Sequence, residues 1–307
     1  MRACTLDGFD AQPALRDDLT EPDAADHELL VRVRASSVNG VDVAIAGGML
    51  REMVEHEFPV TLGRDFAGVI ERVGAGVGRY QVGDEVFGFL PASNPTVHEG
   101  SWTELIAVPE DNSVAGKPGS LDMSQAGAAP LAAITALAAL DALAPAEGAT
   151  VLVIGAAGGV GSFFVQLAAK AGAHVIAPGL PEDTDYLREL GALEILDRNA
   201  GLPATIRERH PDGIDAIFDA VSFTPQDSLL TEGGRLASPL GAAGEGPGRF
   251  NLVAQPTPEN LQRLAELLEG GNLRVPIQTS HELAHADEAL AAFQSTHTQG
   301  KISITIS

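Results

Sequence analysis

The chain is poor in residue types that several classes of function require. It has one cysteine, Cys4, in 307 residues, which excludes an internal disulfide and a zinc cluster built from several thiolates. Lysine and arginine total 19 against 42 acidic residues, giving a net charge of −23. That balance argues against binding to nucleic-acid phosphates. The apolar stretch 126–144 is interrupted by Pro130, Thr135 and Asp141, so no membrane span is predicted.

The first residues also lack the features of a targeting segment. Met1 to Gly8 contain neither the apolar run of a signal peptide nor the Arg-rich, Ser-rich pattern of a transit peptide. Together with the single cysteine, this favours a reducing compartment. We expect a cytoplasmic protein with a small-molecule partner.

The pattern of predicted strands and helices changes along the chain, which predicts an α/β protein of two domains. Short strands bounded by glycine turns occur at residues 29–35, 68–74 and 84–89, as in a compact β-rich unit. From about residue 121, apolar strands alternate with helices, as in a doubly wound parallel sheet. We place a β-rich domain at 1–122, completed by 272–307, and a doubly wound domain at 123–271. A helical region is predicted over 123–143, and the final strand, 301–306, is expected to return to the first domain.

The most informative segment is the strand, glycine turn and helix around residues 151–170. Val151 to Ile154 are apolar, as expected of a strand covered on both faces. Ala156, Gly158 and Gly161 occupy the three positions of a G-x-G-x-x-G motif, with alanine at the first. Small residues there let the backbone approach a diphosphate at the start of the helix. The sequence predicts a dinucleotide site with these contacts: Ala156, Ala157, Gly158, Gly159, Val160 and Gly161.

The residue at the end of the next strand bears on the choice between NAD and NADP. An acidic residue there would hold a ribose 2′-hydroxyl and repel a 2′-phosphate. This position falls on Gly179, and the nearest base in sequence is Arg188. The absence of an acid at the tip favours NADPH. Glu182 and Asp183 follow, however, and NADH remains the alternative.

Further motifs give the chain a resemblance to a known superfamily over nearly its whole length. They are Ala35–Asp42, Leu62–Ile70, Val82–Gly88, the turn Gly155–Gly161, and Gly300-Lys301-Ile302 near the end. With these segments the chain resembles the medium-chain dehydrogenase/reductase superfamily, in its zinc-free quinone oxidoreductase-like branch. The resemblance implies a GroES-like barrel for the first domain, a Rossmann domain for the second, and a homodimer, for which we expect the strand at 249–253 to pair at the sheet edge.

Relatives that use zinc place cysteine, histidine and glutamate ligands in the first two of these motifs. This chain has Asn39, Arg64 and Asp65 there, and a guanidinium cannot serve as a zinc ligand. His281 and His285 are the one histidine pair at i, i+4 spacing, and an exposed helix start explains them. We expect no metal.

The resemblance also suggests roles for individual residues. Asn39 would bind near the nicotinamide and the acceptor, with a turn-capping role as the alternative. Asp42 and Arg64 would line the position of the missing metal as catalytic candidates. Alternatively, Arg64 would form an ion pair with a carboxylate that holds the domain together. Thr135 would lie beside the nicotinamide ribose, with an ordinary helical threonine as the alternative. Trp102 and Phe250 would line the substrate pocket, or belong to the core. Further candidates for cofactor contact are Gly179, Arg188, Val221, Leu240 and Lys301.

Without a metal to polarise a carbonyl, the resemblance implies hydride transfer to an acceptor that spreads the incoming charge itself. A quinone or an α,β-unsaturated carbonyl meets this requirement, with the protein supplying alignment and a dry pocket. Only Tyr80 and Tyr186 are present as tyrosines, and neither is identified as a proton donor. An enoyl-thioester reductase and a nucleotide-binding protein with little catalysis are the alternatives.

Overall fold

The computed structural model describes residues 1–9, 11–91, 95–295 and 297–307. The chain divides into two compact units. Unit 1 comprises Met1–Leu131, Gln255–His297 and Lys301–Ser307, and unit 2 comprises Ala132–Ala254 and Thr298–Gly300. These units place residues 123–131 and 255–271 with the β-rich part, whereas the sequence assigns both segments to the Rossmann domain. The domain boundaries at 122 and 271 therefore stay a prediction.

The described residues form sixteen strands and eight α-helices. The strands are β1 Ala3–Leu6, β2 Ala14–Arg16, β3 Glu28–Ser37, β4 Val60–Thr61, β5 Asp65–Val73, β6 Glu85–Phe89, β7 Leu105–Pro109, β8 Val114–Gly116, β9 Thr150–Ile154, β10 His174–Gly179, β11 Glu194–Asp197, β12 Ile214–Asp219, β13 Leu230–Ser238, β14 Arg249–Asn251, β15 Ile277–Glu282 and β16 Lys301–Thr305. The helices are α1 Gly40–Ala46, α2 Met123–Ala128, α3 Pro130–Leu143, α4 Gly159–Lys170, α5 Thr184–Leu190, α6 Leu202–Arg209, α7 Pro258–Glu269 and α8 Ala286–Ser295. Short 3-10 helices cover Pro181–Asp183, Asp227–Leu229 and Leu283–His285.

Unit 1 contains two sheets. A seven-stranded sheet runs in the order β15-β16-β3-β5-β6-β8, with β7 also paired to β3, and a three-stranded sheet runs β2-β1-β4. β16 pairs antiparallel with β3, Ser303 opposite Ser37, so the predicted return of the last strand is confirmed. Buried Val31, Val33, Phe66, Ile106 and Ile304 belong to the core of this unit.

Unit 2 is built on a six-stranded parallel sheet in the order β11-β10-β9-β12-β13-β14. β9 lies at the centre and is buried from Val151 to Val153, as its continuous apolar sequence predicts. Buried Leu152, Ile176, Ile217 and Leu236 from four adjacent strands share one core cluster. Because all six strands are parallel, their carboxyl ends meet at one edge of the sheet.

The helical region predicted over 123–143 is two helices. α2 ends at Ala128 and α3 begins at Pro130, because proline has no N–H to donate and disfavours helical backbone in the residue before it. α2 packs closely on β3 of unit 1, where a Cβ on Gly127 would lie 2.7 Å from the carbonyl oxygen of Ala35. Among the described residues, none of the helices combines the length and apolar character that a bilayer crossing needs.

Candidate functional site

The glycine turn of unit 2 joins β9 to α4 and contains one left-handed residue, Gly155, with φ +85°. Its carbonyl accepts a hydrogen bond from Gly158 N at 3.1 Å. A Cβ on Gly161 would lie 2.1 Å from the same carbonyl oxygen, so no other residue fits there. The left-handed position thus falls one residue before Ala156, which explains why alanine is tolerated at the first position of the motif.

Gly158 is different, because nothing in the protein forbids a side chain there. Its φ is −73°, and the nearest atom to an added Cβ is Gly155 O at 3.5 Å, an ordinary contact. The missing side chain leaves room that the protein does not fill, directly before the first turn of α4. The N–H groups at a helix start favour an anion. The turn therefore fits a dinucleotide diphosphate held by backbone groups of residues 156–161.

Neighbouring loops complete the surroundings of the turn within unit 2. Gly300 N donates a hydrogen bond to Ala157 O at 2.8 Å. Val221 follows β12 and is 55% exposed, and Leu240 follows β13 and is 41% exposed. Both lie at the carboxyl edge of the parallel sheet, where ligands of doubly wound folds bind. Their predicted contact with a cofactor stays a prediction.

The tip of β10 carries Gly179, the position predicted to face the adenosine ribose. A Cβ there would lie 2.7 Å from Leu187 Cδ1 and 3.1 Å from Asp183 Cβ, so a side chain would crowd the turn. Arg188 lies in the last turn of α5 and pairs with Asp185 at 3.6 Å. Its own side chain is 65% exposed, and its predicted role in cofactor binding stays a prediction.

A second group of polar side chains is buried in unit 1 and is called here the buried cluster. Its members are Ser37, Asn39, Asp42, Arg64, Asp65 and Lys301. Asp65 lies at the start of β5, and its Oδ2 accepts hydrogen bonds from Ser37 Oγ at 2.6 Å and Asn39 Nδ2 at 2.8 Å. Its Oδ1 accepts from Leu131 N at 2.7 Å.

Lys301, the first residue of β16, supplies the positive charge beside Asp65. Its Nζ donates to Asn39 Oδ1 at 2.6 Å and to Val38 O at 3.0 Å, and lies 3.6 Å from Asp65 Oδ2. Burial lowers the pKa of the Lys301 ammonium, and the charges of Asp65 and Asp42 oppose this shift.

Both polar atoms of the Asn39 amide, Nδ2 and Oδ1, are therefore hydrogen-bonded within unit 1. Its Nδ2 group donates to Asp65 and, at 3.4 Å, to Ser37 Oγ, while Oδ1 accepts from Lys301. One lone pair of Oδ1 is left for any further donor. Asn39 is the N-cap residue of α1, but its side chain makes no capping hydrogen bond; its N–H instead donates to Asp42 Oδ2 at 2.8 Å. A contact of Asn39 with cofactor or acceptor stays a prediction.

Asp42 and Arg64 form the remainder of the buried cluster. Asp42 Oδ1 also accepts from Gly63 N at 3.0 Å. Burial raises the pKa of Asp42 to about 6, although the charge of Arg64 and the bond from Asn39 N oppose the rise. Burial likewise lowers the pKa of Arg64, with Asp42 opposing. Arg64 Nη1 donates to the carbonyl oxygens of Pro91 and Glu99. These contacts give both residues a structural function, and their catalytic roles stay predictions.

The remaining candidates are Trp102, Thr135 and Phe250. Trp102 is fully buried in the core of unit 1, and its Nε1 donates to Ser37 O at 3.1 Å. Thr135 is buried on α3, and Phe250 is half-buried in β14. Trp102 therefore has a core role, and the predicted substrate contacts of Trp102 and Phe250 stay predictions.

Sequence reasoning missed two participants. Ser37 is buried and bonds the carboxylate of Asp65; it stands in the Ala35–Asp42 motif, where alternation along β3 could have placed it on the same face as Ala35. Asp183 is also buried, and its Oδ2 accepts from Leu180 N at 2.8 Å. The proline turn before α5 could have indicated this role of Asp183, because an acidic residue two positions after such a proline is well placed to cap the turn.

In the described part of the chain, His, Cys, Asp and Glu form no group of three that could hold a metal ion. His281 lies in β15, and His285 lies 3.1 Å from Glu288 on the surface. The two histidines therefore do not share a helix start.

Comparison with known proteins adds independent information. Residues 25–119 match the family model described as the alcohol dehydrogenase GroES-like domain, and residues 190–304 match the model described as zinc-binding dehydrogenase. Of two relatives, 2-methylene-furan-3-one reductase from Solanum lycopersicum is 30% identical over 92% of this chain and 72% of its own. The NADPH-dependent alkenal/one oxidoreductase of Arabidopsis thaliana chloroplasts is 28% identical over 94% and 74%.

The solved structure of the quinone oxidoreductase from Coxiella burnetii is similar in fold throughout. It aligns with a TM-score of 0.86 and 26% identity, covering 100% of this chain and 99% of its own. The order of domains, the glycine turn and these matches agree with the resemblance of the sequence motifs. The chain belongs to the medium-chain dehydrogenase/reductase superfamily, in its quinone oxidoreductase-like branch.

Proposed function

We propose that this protein is an NADPH-dependent oxidoreductase that transfers hydride to a quinone or an α,β-unsaturated carbonyl. The observation that carries the proposal is the turn at 155–161. No protein atom occupies the space that the missing side chain of Gly158 leaves before α4. The names of the relatives, a 2-methylene-furan-3-one reductase, an alkenal/one oxidoreductase and a quinone oxidoreductase, support the acceptor class.

The residues of each unit have separate tasks in this proposal. A bound nicotinamide would supply the hydride. The backbone of residues 156–161 would hold the diphosphate, with Val221 and Leu240 as apolar contacts. In unit 1, the buried cluster fixes the amide of Asn39, so that the remaining lone pair of Oδ1 has a defined direction. Rigid polar groups of this kind favour alignment of reacting atoms.

The experiment is the oxidation of NADPH followed at 340 nm, with 1,4-benzoquinone, 9,10-phenanthrenequinone and a series of enones as acceptors. We expect turnover with at least one acceptor, a lower KM for NADPH than for NADH, and loss of activity in Gly158→Ala. Equal use of NADH would overturn the choice of NADPH. Oxidation at the same rate without protein would show the acceptor alone to be responsible.

One observation favours a second candidate, a nucleotide-binding protein with little catalysis. Apart from Nε and Nη2 of Arg64, which have no hydrogen-bond partner among the described residues, the polar groups of the buried cluster are bonded to one another or to backbone groups. No tyrosine of the chain is identified as a proton donor. Binding of NADPH without turnover on any acceptor would favour this candidate.

The remaining expectations are proposals of the same kind. We infer a homodimer formed through the edge strand near residues 249–253, a cytoplasmic location, and no binding to nucleic acid. The acidic composition and the single cysteine support the last two.

A further inference from the structure

Arg64, in the buried cluster of unit 1, has incomplete hydrogen bonding. Its Nη1 donates to the carbonyl oxygens of Pro91 and Glu99, but Nε and Nη2 are buried and have no hydrogen-bond partner among the described residues. The whole side chain is fully buried, so bulk water does not solvate these donors. A buried donor without a partner is destabilising, and more so on a charged group. We call Nε and Nη2 the free edge of Arg64.

The same edge of two other arginines of unit 1 binds a carboxylate. Arg32 donates from Nε and Nη2 to the two oxygens of Glu71, and Arg16 donates from the same two nitrogens to the two oxygens of Asp18. The two N–H bonds of this edge are parallel, and their spacing matches the two oxygens of a carboxylate. A carboxylate is therefore the ligand chemistry that the free edge of Arg64 fits.

The neighbouring carboxylates of unit 1 are engaged elsewhere. Asp42 acts on Arg64 by its charge, yet its two oxygens accept hydrogen bonds from Asn39 N and Gly63 N. Glu99 also acts on Arg64 by its charge, but this residue is exposed, and its bond with Arg64 uses the main-chain carbonyl. Neither carboxylate is thus hydrogen-bonded to the free edge.

We propose that the free edge of Arg64 binds a small carboxylate ion in the interior of unit 1. The proposal is independent of the dinucleotide site and of the proposed function. Within the buried cluster, the positive charges of Arg64 and Lys301 balance the negative charges of Asp42 and Asp65, and a bound carboxylate adds one negative charge.

Protonation of Asp42 would offset the added charge. Burial raises the pKa of Asp42 to about 6, with Asp65 adding to the rise and Arg64 and Lys301 opposing it. Below this pKa, Arg64 loses the competing charge of Asp42, so we expect the ion to bind more tightly there than at higher pH.

The test compares sodium formate with sodium chloride in urea denaturation of the whole chain, both at an ionic strength of about 0.1 M. Samples prepared from folded and from unfolded protein are brought to the same equilibrium, so the ion does not have to enter the finished fold. For a dissociation constant about tenfold below the salt concentration, we expect formate to raise the urea midpoint by about 0.3 M over chloride. This gain should be larger at about pH 5 than at about pH 8. Sodium pivalate at neutral pH should give no gain, because its bulk does not fit a buried site.

Two lysine variants assign the effect to one arginine. Arg64→Lys keeps the positive charge but lacks the paired N–H edge, and it is expected to lose the difference between formate and chloride. Arg32→Lys is the matched control, because the edge of Arg32 is already bound to Glu71, and it is expected to keep the full difference. If Arg64→Lys does not fold, the comparison of formate with pivalate on the unmodified protein decides.

Three results would overturn the proposal. They are a folded Arg64→Lys variant that keeps the difference, an equal gain with pivalate and formate, and equal midpoints in formate and chloride. The last result would show that water alone serves the free edge. Oxidation of NADPH tests the proposed function separately, so the failure of one does not imply the failure of the other.

Discussion

Two glycines of the same turn are required for different reasons. Gly161 has no room for a Cβ, since Gly155 O would lie 2.1 Å away, whereas at Gly158 the nearest protein atom lies at 3.5 Å. Gly161 allows α4 to pack on β9, whereas Gly158 leaves the space that a diphosphate would occupy in the proposed function. Stability and cofactor binding can therefore be separated at the level of single residues.

We predict that Gly161→Ala destabilises the protein by about 1–3 kcal/mol, because overpacking forces the backbone to shift. Gly158→Ala is expected to change the free energy of unfolding by less than about 1 kcal/mol and to weaken NADPH binding about tenfold or more, because the methyl group occupies the room for the diphosphate. Urea denaturation and fluorescence titration measure the two effects. Unchanged NADPH affinity in a folded Gly158→Ala variant would contradict the role given to this turn.

Asp42 gives the stability of the protein a pH dependence of unusual sign for a carboxylate. Its pKa in the folded state is about 6, above the ordinary value of 3.8, so the folded state holds this proton more tightly than the unfolded state. The contribution of Asp42 to stability is then full below about pH 4 and is lost as the pH rises through about 6. The lowered pKa values of Glu104 and Glu194 change the stability in the opposite direction. A variant of Asp42 is therefore needed to isolate the contribution of this residue.

We predict that Asp42→Asn destabilises the protein more at pH 4.5 than at pH 7, with a difference of about 2 kcal/mol. The amide cannot accept both N–H groups that Asp42 now binds, but it does not ionise. Urea denaturation of both proteins at the two pH values gives the difference. An equal loss of stability at both pH values would show that Asp42 has an ordinary pKa.

Lys301 tests the charge balance of the buried cluster. Lys301→Met leaves the buried carboxylate of Asp65 without its cation and is expected to cost about 3 kcal/mol. The double variant Lys301→Met/Asp65→Asn should recover part of this loss, because no uncompensated charge remains. A double variant whose loss equals the sum of the two single losses would contradict this coupling.

At the scale of elements, the sequence predicted most of the parallel sheet and less of unit 1. β9, β10 and β12 are continuous apolar runs bounded by turns, and this pattern identifies them as buried strands of the sheet. Pro130 should have divided the helical region, because a proline ends a helix before it. The buried cluster could not be predicted, since Ser37, Asp65 and Lys301 lie on three strands whose pairing depends on tertiary contacts. The motifs named its residues but not their hydrogen bonds.

The edge strand β14 allows a test of the proposed homodimer. It is the last strand of the parallel sheet, and Val253, two residues beyond it, is 75% exposed. Val253→Lys places a charge at this edge, which opposes pairing of two sheets. We expect the mass measured by light scattering to fall from dimer to monomer without loss of the fold, whereas Val73→Lys, on β5 of unit 1, should leave the dimer intact. A monomeric unmodified protein would contradict the proposal.

For the whole molecule, the net charge of −23 predicts a dependence of stability on salt. Like charges repel more strongly in the compact state than in the unfolded chain, and salt shortens the Debye length from about 30 Å at 0.01 M to about 10 Å at 0.1 M. We predict that Tm rises by a few degrees over this range, which corresponds to a gain of about 1 kcal/mol in the free energy of unfolding. Calorimetry in sodium chloride and in potassium chloride should agree at equal ionic strength. A Tm that is constant below 0.1 M salt would contradict repulsion as the cause.

The saturated carboxylate of Asp65 also limits how this protein could be redesigned. Its two oxygens receive four groups, Ser37 Oγ, Asn39 Nδ2, Leu131 N and the Lys301 ammonium. A designer who introduces histidine or cysteine at Asn39 or Arg64 to create a zinc site would first have to release Asp65 from these donors. Single substitutions would each leave a buried charge or donor unmatched. Conversion to a metalloenzyme is therefore expected to require several simultaneous changes, because each single change is destabilising.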